Sequence, residues 1–564
     1  MARPLFLQCV ECGRRQPFVP LTPTVCEACG SGWVEAHYNY AAFKRELLRG
    51  LPGRPFNIWR YQDVLPVEGA SGLNNDCGVG WTPLRLSNHF AEQIGHQPIY
   101  IKDERYGPTN SFKDRQAAVA VAVMREVGVH EMVIASTGNA GVAYASACAQ
   151  SGIKLWTFMT SMVPQEKLRE VALFGGEVIK VSASYDQTKQ ISAEFAKRRG
   201  LLLDRGATSL GARESMKTIA YEVVEQLGWR APDWYIQAVS GGLGPLGVYH
   251  GFDELLEMGL IDHAPKLAVV QADGCSPMVK AFKAGKSVAE AVIPQTRIAI
   301  LSTGDPGKPY TYLWKLIQRF GGTMISASDA EAFAAMKFIA KTDGIAVEPA
   351  TAVAFAGLQK MVRDGTIKPG EIVVINCTGH TFPVEKHVLG DQLSVDVEIE
   401  QSAAAGQPDN RLREGLHAAL ERLDERTTTV LIIDDNPDDA HLVRRILESR
   451  KTYRVFHSND PWDGLSQARQ RRPDLIILDM MMPGLDGLGV LEELKLDKRT
   501  EQIPVIIVSA KDVSPEERQR FVGQVAAVYQ KGSLPPRAFA DQVVEVLEKT
   551  SPKASGKENH PGES

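Results

Sequence analysis

Paired cysteines, a lysine at the end of a β-run, glycine-rich stretches and strand-end carboxylates carry the chemical signal in this chain. Cys9-Val10-Glu11-Cys12 and Cys26-Glu27-Ala28-Cys29 flank a thirteen-residue insert. Two residues between thiolates let a tight turn place both sulfurs on one ion, and a second such turn completes the four ligands that Zn²⁺ prefers. Gly13 and Gly30 follow the two pairs, where such a turn needs a permissive backbone. A redox Cys-x-x-Cys is the alternative, but that motif does not ordinarily come doubled. Four thiolates leave no open coordination position, so the expected zinc is structural and not catalytic.

Lys113 lies where a β-run passes through the turn Gly107-Pro108-Thr109-Asn110 into an alanine-rich helix. A lysine held at such a junction can be partly desolvated, which lowers its pKa and frees the amine for Schiff-base chemistry. Most lysines are solvated surface charges, so the neighbours matter. Ala135-Ser136-Thr137-Gly138-Asn139-Ala140-Gly141 follows another β-run and opens a helix, a ready anion site of backbone N–H groups. The glycine-rich stretch Ser240–Gly247 follows a third β-run and suits a phosphate. Thr378 puts a hydroxyl at the end of the run Val373–Cys377. Gly242–Gly247 formally matches a dinucleotide fingerprint. The proline in its turn, and the lack of an acidic residue closing a second strand about 20 positions on, argue against a nicotinamide site.

A second chemistry stands further along. Val430–Ile433 ends in Asp434 and Asp435, Leu475–Leu478 ends in Asp479, Val505–Val508 ends in Ser509, and Val528–Gln530 ends in Lys531. In a parallel doubly wound sheet the carboxyl ends of neighbouring strands meet in one crevice. Three carboxylates there bind Mg²⁺ and leave positions for water and phosphate. An ordinary flavodoxin-like domain with polar strand ends is the alternative.

These groups need elements to hold them. A chain of 564 residues exceeds one core. Hydrophobic residues make up 44% and charged residues 23%, as in globular proteins, and the net charge of −5 carries no nucleic-acid footprint. No apolar run approaches the ~20 residues that span a bilayer, and no secretory leader pattern opens the chain, so the expected compartment is the cytoplasm. Strand-then-helix alternation, as in Met132–Ala135 before Gly138–Ser151, predicts an α/β fold with parallel-type sheets. The expected domains are a zinc ribbon over 1–40, a catalytic domain over 41–390 and a linker with a helix over 391–427. A doubly wound domain over 428–550 and a disordered polar tail over 551–564 follow. Gln401–Asn410 reads as linker, and Leu412, Leu416, Leu420 and Leu423 share one helix face.

Several motifs together, in order, resemble fold-type II pyridoxal-phosphate enzymes of the tryptophan synthase β-like fold. They are Gly80-Trp81-Thr82-Pro83-Leu84, Pro108–Arg115, Ser136–Gly141, Ser240–Gly247, Gly344–Ala350 and Cys377-Thr378-Gly379-His380. The zinc ribbon, the Ser111–Arg115 block and Met216–Glu222 are most similar to threonine synthase, over roughly residues 1–390. The resemblance implies pyridoxal 5′-phosphate held on Lys113, which also acts as base at the substrate Cα. It implies Asn139 on the cofactor's phenolic oxygen and Thr378 beside the pyridine nitrogen. Ser136, Thr137 and Gly138 would receive the substrate carboxylate, and Ser240, Gly241, Gly242, Leu243 and Gly244 would hold the cofactor phosphate. The implied reaction turns O-phosphohomoserine into threonine and phosphate, by elimination at the γ-carbon and water addition at the β-carbon. Two departures from the family bear on the substrate: Ser215-Met216 replaces Gly-Gln, and Thr381-Phe382-Pro383 follows His380. Both are expected near the substrate's distal group. Related readings are a threonine/serine dehydratase, a cysteate-synthase-like β-replacement enzyme, or a signalling adaptor sensing a metabolite.

The C-terminal carboxylate set resembles the receiver domain of two-component response regulators. That resemblance implies phosphorylation of Asp479, with Asp434, Asp435 and Asp479 on magnesium and Ser509 and Lys531 on the phosphoryl group. Gly532 follows the lysine where the family has proline, and Tyr529 lies one position closer to it than the usual switch aromatic. The expected partners are an amino-acid substrate, a histidine kinase or phosphorelay donor, and a second copy of the chain in a homodimer, with no nucleic acid and no membrane.

Overall fold

The computed structural model describes residues 4–19, 25–67, 78–161, 163–206, 209–380, 395–397, 428–437, 443–444, 447, 453–509, 523–530, 542–543 and 545–547. Lys531, the segment after His380, the Gln401–Asn410 linker, the Leu412–Leu423 helix and the tail lie outside them. The chain divides into two compact units, Met1–Ser402 and Ala403–Ser564.

In the first unit, strand Phe6–Cys9 is central in a three-stranded antiparallel sheet with Arg15–Gln16 and Val34–His37. Both cysteine pairs turn alike: Gly13 N–H donates to Cys9 O and Gly30 N–H to Cys26 O. Gly13 and Gly30 have φ of 71° and 69°, which a side chain would strain.

A six-stranded sheet runs in the order Gly322–Ala327, Lys266–Ala272, Trp234–Ala238, Val373–Cys377, Ile99–Asp103, Leu84–Ser87. All neighbours are parallel except the last pair. A second, wholly parallel sheet runs Val395–Val397, Glu177–Val181, Lys154–Thr160, Glu131–Ser136, Leu202–Asp204. The strands at the heart of the larger sheet are buried without alternation, Trp234–Ala238 and Val373–Cys377 at every position. Continuous apolar runs of this kind belong to parallel strands covered on both faces. On one face, helix Pro349–Arg363 supplies Ala352, Val353 and Phe355 to a core with Ile236 and Val270. On the other, helices Leu210–Gln226 and Leu243–Glu257 pack with Tyr235 and Val269. Gly247 and Gly251 permit close contact of these two helices, since a Cβ on either would meet Arg213 O or Lys217 O at 2.5 Å.

The second unit is a five-stranded parallel sheet in the order Tyr453–Ser458, Thr428–Ile433, Leu475–Asp479, Val505–Ser509, Ala527–Gln530. Numbered along the chain this is 2-1-3-4-5, the flavodoxin-like doubly wound order, whose ligands sit beyond the carboxyl ends of the strands. Among the described residues no helix is long and apolar enough to cross a membrane.

Candidate active site

Lys113 opens helix Lys113–Glu126, and its block is anchored on both sides. Asp114 turns back onto the preceding turn, accepting from the Thr109 N–H at 3.0 Å and from the Thr109 hydroxyl. Arg115 is buried, with its guanidinium on Glu104 at 2.7 Å and on Glu222 at 2.5 and 2.7 Å. Lys102 completes that network on Glu222 at 2.7 Å. The turn is also stitched to the strand carrying Thr378: Phe112 N–H donates to Thr378 O, and His380 N–H to Asn110 O, each at 3.0 Å. Lys113 has little freedom left except along its own side chain.

That side chain enters a cavity of about 790 Å³ between the carboxyl ends of the two sheets. Lys113, Ser136, Thr137, Asn139, Ser240–Gly244 and Thr378 all line it, so segments spread over more than half the unit converge. Lys113 Nζ donates to Gln116 Oε1 at 3.2 Å and has no carboxylate at bonding distance among the described residues. Burial pushes its pKa down to about 8, against the pull of Asp204 and Glu348. Lys102 and Lys217 are more deeply buried than Lys113 and are ion-paired, to Glu222 and to Glu214 and Glu254, and neither reaches the cavity.

Asn139 begins helix Asn139–Ser151 and directs Nδ2 at the Glu348 carboxylate, 2.8 and 3.0 Å away. Its Oδ1 is buried with no partner among the described residues. Ser136 Oγ accepts from the Gly138 and Gly141 N–H groups and thereby shapes the start of that helix. Thr378 is buried on Thr351 Oγ1 at 2.7 Å. Ser240 shares a 2.6 Å hydrogen bond with the Thr303 hydroxyl. Gly242, at φ 85°, then turns the chain into helix Leu243–Glu257, whose start lines the cavity; the first N–H groups of a helix have no partner within it.

Sequence reasoning left Asp204, Glu348, Gln116, Tyr144 and Thr303 without roles. Asp204 ends a β-run, as the other site residues do, and Tyr144 donates to it at 2.8 Å. Burial raises the pKa of both Asp204 and Glu348. Glu348 sat in view inside Gly344–Ala350. The expectation for Glu214–Thr218 is corrected: the segment is buried in helix Leu210–Gln226 and lines no part of the cavity. Met216 packs beneath Gly247 instead, so its substitution is a matter of helix packing.

The donor set fits pyridoxal phosphate. A deprotonatable buried lysine, a neutral hydroxyl, an amide with an unmet acceptor and a glycine turn at a helix start surround one space.

The four cysteines of the hairpin place their sulfurs within 4.8 Å of one another, with Cys9–Cys29 at 3.6 Å and Cys12–Cys26 at 3.5 Å. A tetrahedral Zn–S distance of about 2.3 Å needs sulfurs about 3.8 Å apart, close to this spacing. In the second unit the Asp434, Asp435 and Asp479 carboxylates likewise converge within 4.8 Å, and Ser509 is buried at the end of the neighbouring strand.

Comparison with known proteins supports both domain assignments. The model of the pyridoxal-phosphate dependent enzyme family matches residues 77–379, and that of the response regulator receiver domain matches residues 430–530. Threonine synthase of Methanocaldococcus jannaschii is 34% identical over 376 residues, covering 66% of this chain and 91% of its own. That of Methanosarcina acetivorans is 32% identical over 385 residues, covering 68% and 93%. That of Mycobacterium bovis is 30% identical over 342 residues, covering 60% and 92%. Enzymes of the first family bind an amino-acid substrate, and receiver domains take a phosphoryl group from a donor. The chain belongs to the pyridoxal-phosphate-dependent enzymes of the threonine synthase family and carries a response-regulator receiver domain.

Proposed function

We propose that the first unit is a lyase that converts O-phosphohomoserine and water into threonine and inorganic phosphate. The observation that carries this reading is the convergence of unpaired Lys113 with Asn139, Thr378 and the Ser240–Gly244 turn on one cavity, in a chain 34% identical to a threonine synthase. Pyridoxal phosphate, when bound, supplies the electron sink that acidifies the substrate's Cα and Cβ protons. Lys113 Nζ, neutral above about pH 8, takes and returns the proton at Cα. The N–H groups at the start of helix Asn139–Ser151 that Ser136 Oγ does not occupy, with the Ser136, Thr137 and Gly138 segment, hold the substrate carboxylate. Ser240 to Gly244 hold the cofactor phosphate. Asn139, steadied by Glu348, would orient the cofactor's phenolic oxygen. Thr378 would set a neutral hydroxyl beside the cofactor's pyridine nitrogen, which would leave the ring a milder electron sink. Loss of a Cβ proton lets phosphate depart from Cγ with the C–O electron pair. Cγ then takes up a proton to become the methyl group, and water adds its hydroxyl at Cβ, its remaining proton balancing the released phosphate.

Zinc on Cys9, Cys12, Cys26 and Cys29 makes the hairpin a structural ribbon. Magnesium on Asp434, Asp435 and Asp479 prepares Asp479 for phosphorylation by a histidine kinase or phosphorelay donor, with Ser509 and Lys531 on the phosphoryl oxygens. The cytoplasm, a homodimer and no nucleic-acid partner complete the reading. Turnover in ¹⁸O-labelled water tests the reaction: the label should enter the threonine hydroxyl, while released phosphate stays unlabelled. Label in the phosphate would mean P–O cleavage and a different reaction.

A further inference from the structure

The cysteine hairpin is built into the catalytic unit. Leu7, Val34, Ala36 and Tyr38 share one apolar core with Met216, Val248 and Tyr249 of the helices behind the larger sheet. Two hairpin residues reach further. Trp33, directly before strand Val34–His37, lines the catalytic cavity. Its ring lies against Tyr312 of helix Lys308–Phe320 with centroids 4.6 Å apart, and the Arg213 guanidinium lies 5.0 Å from its centre. Glu11, inside the first cysteine pair, accepts from Lys308 Nζ and from the Tyr312 hydroxyl, the latter at 3.0 Å. The same helix backs the glycine turn. A Cβ on Gly242 would meet Leu313 Cδ1 at 2.9 Å and Pro309 Cβ at 3.4 Å. Hairpin, helix and turn are therefore consecutive layers, and both grips of the hairpin fall on the first turns of the helix, where it meets Gly242.

We propose that Trp33 and Glu11 are positioning residues for the cofactor, pressing helix Lys308–Phe320 onto the Ser240–Gly244 turn so that the folded hairpin governs retention of the cofactor's phosphate end. The proposal rests on the phosphate role given to that turn. Backbone N–H groups bind an anion tightly only when held in place beforehand, because otherwise binding must also order them. Lys308 is held by Glu11 at the cavity lining, so that pair fixes the helix start without leaving an uncompensated cation beside the turn.

The test is the rate at which full-length holoenzyme loses its visible cofactor absorbance on dialysis, with zinc content and thermal midpoint measured in parallel. Trp33→Ala should release cofactor about ten-fold faster while keeping its zinc, and Trp33→Phe, which preserves an aromatic contact with Tyr312, should stay within about two-fold of wild type. Glu11→Gln should fall between them, and its difference from wild type should shrink as salt screens the Glu11–Lys308 pair. A zinc-loaded, folded Trp33→Ala that releases cofactor at the wild-type rate overturns the proposal. So does a raised KM for the amino acid with unchanged cofactor release, which would assign Trp33 to the substrate. Should Trp33→Ala not fold, the half-exposed Glu11 decides, and wild-type release from Glu11→Gln overturns the proposal. A wild-type protein without the absorbance would instead contradict the cofactor assignment on which the proposal rests.

Discussion

Lys113 differs from the buried lysines Lys102 and Lys217 in what it lacks. Lys102 and Lys217 are ion-paired to carboxylates, whereas among the described residues Lys113 has only the Gln116 amide oxygen at bonding distance. Burial then favours the neutral amine, and the apoenzyme should capture pyridoxal phosphate faster as pH rises through about 8, not through the 10.5 of a free lysine. Capture that accelerates only near pH 10 would show a solvated lysine. Lys113→Ala should lose the visible absorbance and turnover together, and an unchanged spectrum would place the cofactor elsewhere. The lysine was legible because its motif is local: Asp114 and Arg115, which fix it, are its immediate neighbours. The roles of Asp204 and Glu348 were not, because only the assembled fold brings these carboxylates, one at a strand end and one at the start of helix Pro349–Arg363, to the cavity. An isolated strand-end acid carries no sign of such company.

At the scale of elements, the alternation of β-runs and helices was readable along nearly the whole first unit, including the strands that end in Ser136 and Thr378. What local pattern could not show is how helix Leu210–Gln226 faces. Its Glu214 and Lys217 look like exposed helix charges, yet they are buried with Glu254 and His250, and the Tyr38, Tyr40 and Tyr221 hydroxyls donate to the two carboxylates. Burial alone would lower the His250 pKa, but Glu214, Glu254 and, more remotely, Glu35 raise it to about 9. Protonated His250 therefore stabilises the folded state fully below about pH 6.5, its ordinary value, and that contribution is lost as pH rises through about 9. His37 lies close enough to feel the same charge, and its own pKa is lowered, first by burial. Thermal midpoints should fall between pH 6.5 and 9 in wild type and fall less in His250→Phe; parallel slopes would contradict this assignment. The cysteine hairpin was legible from spacing alone. About one zinc per chain is expected, and Cys9→Ser/Cys12→Ser should lose it and loosen the attached N-terminal strands. Full loss of zinc with an unchanged melting profile would deny the metal a structural role.

At the scale of the whole molecule, the chain joins a lyase-type unit to a receiver. Both were legible because each carries its chemistry at strand ends, where a short apolar run followed by one polar residue is a recognisable pattern. A phosphoryl group on Asp479 adds charge beside Ser509 and can bias a two-state surface. The covalent link keeps the receiver at high effective concentration near the enzyme. A small phosphodonor with Mg²⁺ should label wild type but not Asp479→Ala, and labelled enzyme should differ from unlabelled in kcat or KM. Equal constants at full labelling would rule out direct catalytic control and point to recruitment of a separate partner. The central claim is the substrate, and one measurement tests it most directly: product identification with O-phosphohomoserine, O-phosphoserine, serine and threonine offered separately to the purified full-length chain. O-phosphohomoserine should give the highest kcat/KM, with threonine and phosphate formed in equal amounts. Preferential deamination of serine or threonine, with O-phosphohomoserine left intact, would contradict it.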